Sequence, residues 1–328
     1  MLNIGVLGTG HLGKIHINCI KQIGQFELVG FYDPAVETAR QVEQEMQLRC
    51  FDSIDALIDA VDVVDIVTPT IRHFECASKA LQKRKHVFIE KPIVATPDEA
   101  NALKKLAGEA GVKVQVGHVE RFNPAFIAAE PFIKDPLFVE AHRLALFNPR
   151  GTDVPVVLDL MVHDLDILLT IIKSEITHIS ANGVSIVSTT PDITNVRIEF
   201  ANGAVANLTA SRLSLKNMRK TRIFQPDAYI TVDFLDKVAE ITRIHDTVDE
   251  TNPLSATITL GDGSEKQITF ERPEIHPINA IKTELESFYG AIVHNTTPAV
   301  TIDDGINVLK LAYRILDAVA ASTAKVKK

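Results

Sequence analysis

Leu2-Asn3-Ile4-Gly5-Val6-Leu7-Gly8-Thr9-Gly10-His11-Leu12-Gly13 decides how the first third of this chain is read. An apolar run of strand length, Leu2–Leu7, ends in a Gly-x-Gly-x-x-Gly loop, and an amphipathic stretch follows from His11 to Ile23. In that context Gly8 permits a tight turn, Gly10 lets a pyrophosphate approach the backbone, and Gly13 lets the helix pack close to the strand. The helix start offers free N–H groups and a partial positive charge to phosphate. Thr9, His11 and Leu12 complete the loop as candidate cofactor contacts. Asp33 lies twenty residues beyond Gly13, at the end of the next apolar run, Glu27–Tyr32. A carboxylate there suits the adenosine ribose hydroxyls and repels a 2′-phosphate. Pro34-Ala35 follows and no arginine stands beside it in sequence, so NAD is expected rather than NADP.

The same alternation continues. Strands are expected at Val63–Thr68, His86–Glu90 and Val112–Gly117, with a weaker one at Leu48–Phe51. Helices are expected at Ala35–Met46, Ile71–Lys83 and Pro97–Ala110. Strand–helix alternation means parallel pairing with helices on both faces, an α/β doubly wound sheet. Beyond Arg121 the pattern changes to a strand at Phe138–Phe147, a helix at Val156–Lys173, and β-rich segments from Ile176 to about Phe270. Asn202-Gly203 and Asp262-Gly263 read as hairpin turns. Helices near Pro277–Asn295 and Asp304–Val326 close the chain, and Lys325-Val326-Lys327-Lys328 reads as a solvated end. Two domains follow: a nucleotide-binding domain over 1–121, and an α+β domain with one large, mostly antiparallel sheet over 122–328.

Composition bounds the function. The 328 residues are 46% hydrophobic, enough for two buried cores. A net charge of −8 argues against a nucleic-acid partner. Three scattered cysteines, Cys19, Cys50 and Cys76, have no metal-like spacing and read as reduced thiols of a cytoplasmic protein. No apolar run reaches the roughly 18 residues of a membrane span, and the first strand starts at Leu2, so no signal peptide is expected.

Glu90-Lys91-Pro92 closes the strand His86–Glu90, where a parallel strand delivers charge to the carboxyl edge of a sheet. Lys91 there can donate to a substrate oxygen. Pro92 restricts it to an extended conformation and makes the bond a candidate cis peptide, and Glu90 can anchor it or bind the nicotinamide ribose. A surface salt bridge before a loop proline is the competing reading. Thr68-Pro69 ends the preceding strand and lines the same crevice; His73 just beyond it is either a cofactor neighbour or an ordinary helix-surface histidine. In the helix at 156–173, Asp159, His163 and Asp166 form one stripe. A histidine held by a carboxylate one turn away is a sensible general base. A metal pair without an evident third ligand, or an interdomain ion pair, would use the same spacing. Arg212, Lys216, Arg219, Lys220 and Arg222 are dense for an acidic chain: either a grip on a diphosphate or a solvated strand edge.

The glycine loop, Asp33, Thr68-Pro69, Glu90-Lys91-Pro92 and Asp159-x-x-x-His163 resemble, in order and spacing, the Gfo/Idh/MocA oxidoreductases over nearly the whole chain. The resemblance implies an N-terminal Rossmann domain and a C-terminal α/β domain with a large open sheet. It implies that Lys91, Asp159 and His163 serve catalysis at the nicotinamide, and that homodimers or homotetramers form through the sheet face. The run Gly117 to Pro124, with Arg121 and Asn123, is similar to a branch of the family that oxidises the 3-hydroxyl of UDP-N-acetylglucosamine. So are Asp153 to Asp166, Ala210 to Ser214 and Met218 to Gln225. That likeness makes Arg121, Asn123, Arg212, Arg219 and Arg222 candidate substrate contacts. A non-catalytic dinucleotide sensor, a dehydrogenase of free sugars or inositols, and a reductase of another carbonyl are the alternatives. Lys91 with the Asp159/His163 pair weighs against the sensor, which needs no general base, and the polar stripe at 159–166 favours a hydroxylated substrate.

Overall fold

A computed structural model describes residues 1–148, 154–247 and 255–326; Asp153, Lys327 and Lys328 lie outside the described residues. The chain divides into two compact units, one of Met1–Val119 with Asn279–Lys310, the other of Glu120–Ile278 with Leu311–Lys328. The expected division at 121/122 and this one differ in where they put residues 279–310.

In the first unit β1 (Leu2–Leu7), β2 (Phe26–Tyr32), β3 (Val63–Ile66), β4 (His86–Glu90) and β5 (Val114–Gly117) form a parallel sheet of order β2-β1-β3-β4-β5. Every residue of β3, β4 and β5 except His86 is buried, the pattern of strands covered on both faces. The helices are α1 (His11–Ile20), α2 (Val36–Met46), α3 (Ile54–Ala60), α4 (His73–Gln82) and α5 (Pro97–Ala110). Local chemistry sets the ends of α5. A capping box joins Thr96 and Glu99, Pro97 stands in the first turn, and left-handed Gly111 stops the helix. A later segment, α8 (Ala280–Val293), puts Leu285 and Phe288 into the same core as Ile17, Ile20 and Phe88. The last helix, α9, runs Ile302–Val326.

Three expectations for this unit shift. Leu48–Phe51 is not a strand but a single parallel bridge, Phe31 to Cys50. The chain turns away because Ser53 begins α3, its Oγ accepting the Ala56 N–H at 3.1 Å. That seven-residue helix is too short to show a period in sequence. The strand expected at 63–68 ends at Ile66, and a 3₁₀ turn at Thr70–Arg72 precedes α4.

In the second unit β6 (Phe138–Leu144), β7 (Ile176–Val184), β8 (Ile193–Phe200), β9 (Val205–Ser211), β10 (Met218–Gln225), β11 (Ala228–Asp233), β12 (Val238–His245), β13 (Ser255–Thr259) and β14 (Glu265–Glu271) form one sheet. Its order is β13-β14-β12-β11-β10-β6-β9-β8-β7. All its pairs are antiparallel except β6 with β9. Asn202-Gly203 and Asp262-Gly263 turn the β8–β9 and β13–β14 hairpins. One face is covered: α6 (Pro124–Ala129) packs on β11 and β12, and α7 (Val162–Ile171) on β6. Period-two burial follows, with Val139, Ala141 and Arg143 inside and Glu140 and His142 half-exposed. The strand expected to reach Phe147 stops at Leu144, and the helix expected at 156–173 opens as a π turn, Val157–Met161, before α7. Among the described residues no helix is long and apolar enough to cross a membrane.

Candidate active site

The carboxyl ends of β1, β2 and β3 border a cavity of about 610 Å³. It lies where the strand order reverses around β1, the position that binds ligands in open α/β sheets. Gly8, Gly10, His11, Leu12, Asp33, Thr68 and Pro69 line it. A Cβ at Gly13 would sit 2.1 Å from the Gly8 carbonyl oxygen, so only glycine lets α1 approach the turn. Gly8 has φ +92°, and a Cβ there would meet the Thr68 backbone nitrogen at 2.9 Å. Gly10 instead faces open space and starts α1 with no side-chain cap. The first N–H groups of α1 thus have no side-chain acceptor there, and the space beside them suits an anion.

Asp33 is built into this cradle. Its Oδ2 accepts from the Thr9 N–H at 2.8 Å and the Thr9 hydroxyl at 3.0 Å, and its Oδ1 accepts from the Ala35 N–H at 2.9 Å. Three protein donors fix the carboxylate at the cavity wall and leave lone-pair capacity for ribose hydroxyls. Two arginines come nearer than the sequence implied. Arg72 lines the cavity and Arg40 a neighbouring one, paired with Glu75 at 3.0 Å and Glu37 at 3.8 Å. Cys76 also lines the cavity, its thiol pushed up to about 11 by burial.

Two more of the expected residues lie at the adjoining strand ends. His73 is buried, not on a helix surface: Nδ1 lies 2.9 Å from the Pro92 carbonyl oxygen and Nε2 2.8 Å from that of Thr68. It ties the exit of β3 to the turn after β4, and burial holds its pKa below the ordinary imidazole value. Lys91 is half-buried, its peptide bond to Pro92 is cis, and its N–H donates to Glu90 Oε2 at 3.1 Å. Glu90 is buried, and beneath it lie two residues that the sequence reading passed over. His16 Nδ1 is 2.9 Å from Asp65 Oδ2, and His16 Nε2 is 3.2 Å from Glu90 Oε1. The signal was present in Val63-Val64-Asp65-Ile66, a carboxylate inside an apolar strand that must find a partner.

In the second unit Asp159 lies on the π turn and His163 in the first turn of α7. Such widened turns frequently mark functional positions. The two aspartates that follow His163 are both engaged in ion pairs. Asp164 accepts from Arg143 Nε and Nη2, both at 2.9 Å, while Arg143 Nη1 donates to Glu120 at 2.9 Å. Asp166 accepts from Arg121 Nε at 2.8 Å. Burial pushes the Asp164 carboxyl up and the Arg143 guanidinium works against that. These pairs lock α7 to β6 and to the Val119–Phe122 turn, and removing one partner of such a pair typically costs ~3–5 kcal/mol.

The remaining candidates separate. Asn123 is buried: its Oδ1 caps α6 through the Ala125 N–H at 3.1 Å, and its Nδ2 donates to Glu120 and to the Phe234 carbonyl, both at 3.0 Å. Arg212 is buried, bonded to the Val154 carbonyl and 4.0 Å from Asp192, itself held well below its ordinary value despite burial by donors from residues 186–188. The β6–β10 register splits the basic cluster. Arg219 pairs with Arg143 and so points to the helix-covered side, while Lys220 and Arg222 pair with His142 and Glu140 on the other. Arg219 is exposed; Arg222 donates to Glu140 at 2.8 Å.

Comparison with known proteins agrees with this architecture. Residues 2–118 match the NAD-binding Rossmann-fold model of an oxidoreductase family, and 145–230 match the GFO/IDH/MocA C-terminal domain. Over 324 residues the chain is 40% identical to UDP-N-acetylglucosamine 3-dehydrogenase of Acidithiobacillus ferrooxidans, covering 98% of each. A solved structure of that enzyme superposes with a TM-score of 0.87 at 34% identity and 98% coverage of both chains. Inositol 2-dehydrogenase of Rhizobium meliloti is 26% identical over 342 residues, 97% of each chain. A scyllo-inositol dehydrogenase of Lactobacillus casei, solved with NAD(H) and scyllo-inositol, shares the fold with a TM-score of 0.78 at 21% identity and 98% coverage of both chains. The fold and the cavity define an NAD-binding oxidoreductase. The chain belongs to the Gfo/Idh/MocA family of oxidoreductases.

The cavity generates a cofactor prediction. Fluorescence titration is expected to show tighter binding of NADH than of NADPH, and Asp33→Ser is expected to narrow the difference by weakening NADH. NADPH binding as tightly as NADH to the unaltered protein would refute the role given to Asp33.

Proposed function

We propose that this protein is an NAD-dependent dehydrogenase of a sugar secondary alcohol, and that its substrate is a UDP-N-acetylhexosamine oxidised at C3. The observation that carries the reading is the likeness over 98% of the chain to a UDP-N-acetylglucosamine 3-dehydrogenase. The inositol and free-sugar readings rest on more distant relatives.

The Gly8–Gly13 loop and Asp33 would hold the cofactor, with Thr68 and Pro69 in the same cavity wall and Glu90 the candidate partner of its nicotinamide ribose. Bound NAD supplies the hydride acceptor. His163 takes the hydroxyl proton as the carbon–hydrogen bond breaks and the carbonyl forms. Asp159, one turn before it, orients the ring. The Lys91 ammonium stabilises the oxyanion that develops on the substrate oxygen. Arg219 is the cluster member we assign to the diphosphate, because it is exposed on the α7 side of the sheet, whereas Arg222 is engaged with Glu140 on the opposite face. Arg121, Asn123 and Arg212 shape the substrate region indirectly, by fixing α7, α6 and the strand ends.

We also propose a homodimer or homotetramer formed through the uncovered sheet face. Phe138, Phe224 and Tyr229 cluster there, with ring centroids 5.7 and 4.7 Å apart, and Phe270 on the same face is exposed. Such an aromatic patch is what an association surface buries.

Three outcomes test these assignments. Lys91→Ala and His163→Ala are each expected to lower turnover on UDP-N-acetylglucosamine by about 100-fold or more, the usual scale of a lost acid–base or electrostatic group, with NADH affinity nearly unchanged. Near-normal turnover in both sinks the chemistry. NADH formation is expected to be faster with UDP-N-acetylhexosamines than with free N-acetylhexosamines or inositols. Arg219→Ala should raise KM for the nucleotide sugar by about tenfold, a typical loss of one charge-assisted contact, while Arg222→Ala leaves it near wild type. A preference for free sugars or inositols rejects the nucleotide-sugar reading. Finally, sedimentation of Phe224→Asp is expected to give a smaller species than the unaltered protein; equal masses would exclude the aromatic face as the interface.

A further inference from the structure

His16 and Asp65 have no place in the chemistry described so far. Both side chains are fully buried, on α1 and β3, beneath the Lys91 turn. His16 stands between two carboxylates, 2.9 Å from Asp65 and 3.2 Å from Glu90. Its ring makes a T-shaped contact with Phe88, centroid to centroid 5.8 Å. Glu90 spans the gap to the active site: Oε1 faces His16 and Oε2 accepts the Lys91 N–H at 3.1 Å. Its carboxylate lies over Gly117 so closely that a Cβ there would be 2.9 Å from the carboxyl carbon. The order of charges from the interior outward is therefore Asp65, His16, Glu90, Lys91.

We propose that His16 and Asp65 are positioning residues for Lys91: together they hold Glu90 as an oriented anion, and Glu90 in turn fixes the Lys91 backbone and steadies its ammonium. The inference rests on the role of Lys91 given above and extends it inward.

One proton is shared by Asp65 and His16, either as carboxylate and imidazolium or as carboxylic acid and neutral imidazole. In both arrangements His16 Nε2 carries hydrogen toward Glu90, so Glu90 always faces a donor. The contact is off the line of an ideal hydrogen bond, so the attraction is mainly electrostatic. In a dry interior that attraction is strong. Burial alone would lower the His16 pKa, yet Asp65 and Glu90 together raise it well above the ordinary imidazole value. Burial alone would raise Glu90, yet His16 and Lys91 together keep it below the ordinary glutamate value. The other titratable groups packed on the network are Cys19 on α1, with a thiol pushed up by burial, and His73 on α4, whose pKa burial lowers; both are neutral at pH 7.

Removing a cation from beside a buried carboxylate raises that carboxylate's pKa. Glu90 without His16 should then take up a proton as pH falls through a higher range, releasing Lys91 there and regaining it at alkaline pH. The test is the double substitution His16→Leu/Asp65→Val, which removes the ion pair as a unit and leaves Glu90 its contact with Lys91; apolar replacement of a buried ion pair commonly preserves the fold. We expect NADH affinity to stay within about threefold and kcat near neutral pH to fall about tenfold or more. The acid limb of the kcat/KM profile should move up by about one pH unit or more, the scale of one lost buried charge partner. A second measurement uses the unaltered protein: ¹⁵N-histidine NMR should show that the His16 ring does not titrate in the range where a free imidazole does. Wild-type turnover and pH profile in the double variant, or a His16 that titrates as an ordinary imidazole, would overturn the proposal. Normal turnover in Lys91→Ala would instead overturn the role of Lys91 itself and leave the NMR result to judge the network.

Discussion

A Cβ on Gly13 would lie 2.1 Å from the carbonyl oxygen of Gly8, and much of the first unit depends on that contact being open. Because the helix can come so near, its first turn sits at the carboxyl end of β1, with the strand order reversing on either side. The loop backbone then meets the Asp33 carboxylate through Thr9. Less than two turns further along α1, the same approach brings His16 under β3 and β4, within reach of Asp65 and Glu90. A helix held further off by one methyl group would lose the anion site and the buried charge network together. The cofactor cradle and the support of Lys91 are consequences of one packing constraint, which is why both can be traced to a glycine.

The second unit is organised by charge inside its sheet. Arg143 is on the covered face of β6, at 3% exposure, between Glu120 and Asp164. Dispersion alone would let α7 slide along the apolar face beneath it. A guanidinium that must meet one carboxylate on α7 and another on the preceding turn permits one register. Arg121 with Asp166 repeats the restraint from the same turn. His163 directly precedes the two locked aspartates, so its position on α7 is set by their ion pairs with Arg143 and Arg121. Buried ion pairs of this kind add little net stability over an apolar alternative, and their value here is geometric.

The alternation of strands and helices, the glycine loop, the lysine–proline turn and both hairpins were legible in the sequence because each rests on local periodicity or on a residue with one conformational use. What was not legible depends on distance. His16 and Asp65 are 49 residues apart, and Arg143 joins partners on either side of it in sequence. Periodicity reports that such residues point inward but not whom they meet. The π turn at Val157–Met161 is hidden for another reason, since its residues suit an α-helix equally well. The basic run illustrates register most plainly. As a string, Arg219 to Arg222 is one cluster; as a strand, alternate residues belong to opposite faces, and only the pairing with β6 says which face is which.

Charges in this protein fall into two physical classes, and the difference argues for their roles. Lys79 with Asp55 and Lys83 with Asp59 are surface pairs at 2.8 and 2.7 Å, open to solvent and to salt, and such pairs contribute about 0–1 kcal/mol each. The Asp65–His16–Glu90 series is buried, with 0% exposure at Asp65 and His16 and 10% at Glu90, so salt and water weaken it much less. A group that must be placed to a fraction of an ångström is well served by the second class. A group that must catch a diffusing anion is served by the first, since it has to be reachable and free to adjust. Lys91 is tethered to the buried series through Glu90, whereas Arg219 is an exposed cation near the start of β10, a central strand of its sheet. That division suits the roles proposed for them: placement at the reacting oxygen for one, capture of the substrate's distant charge for the other.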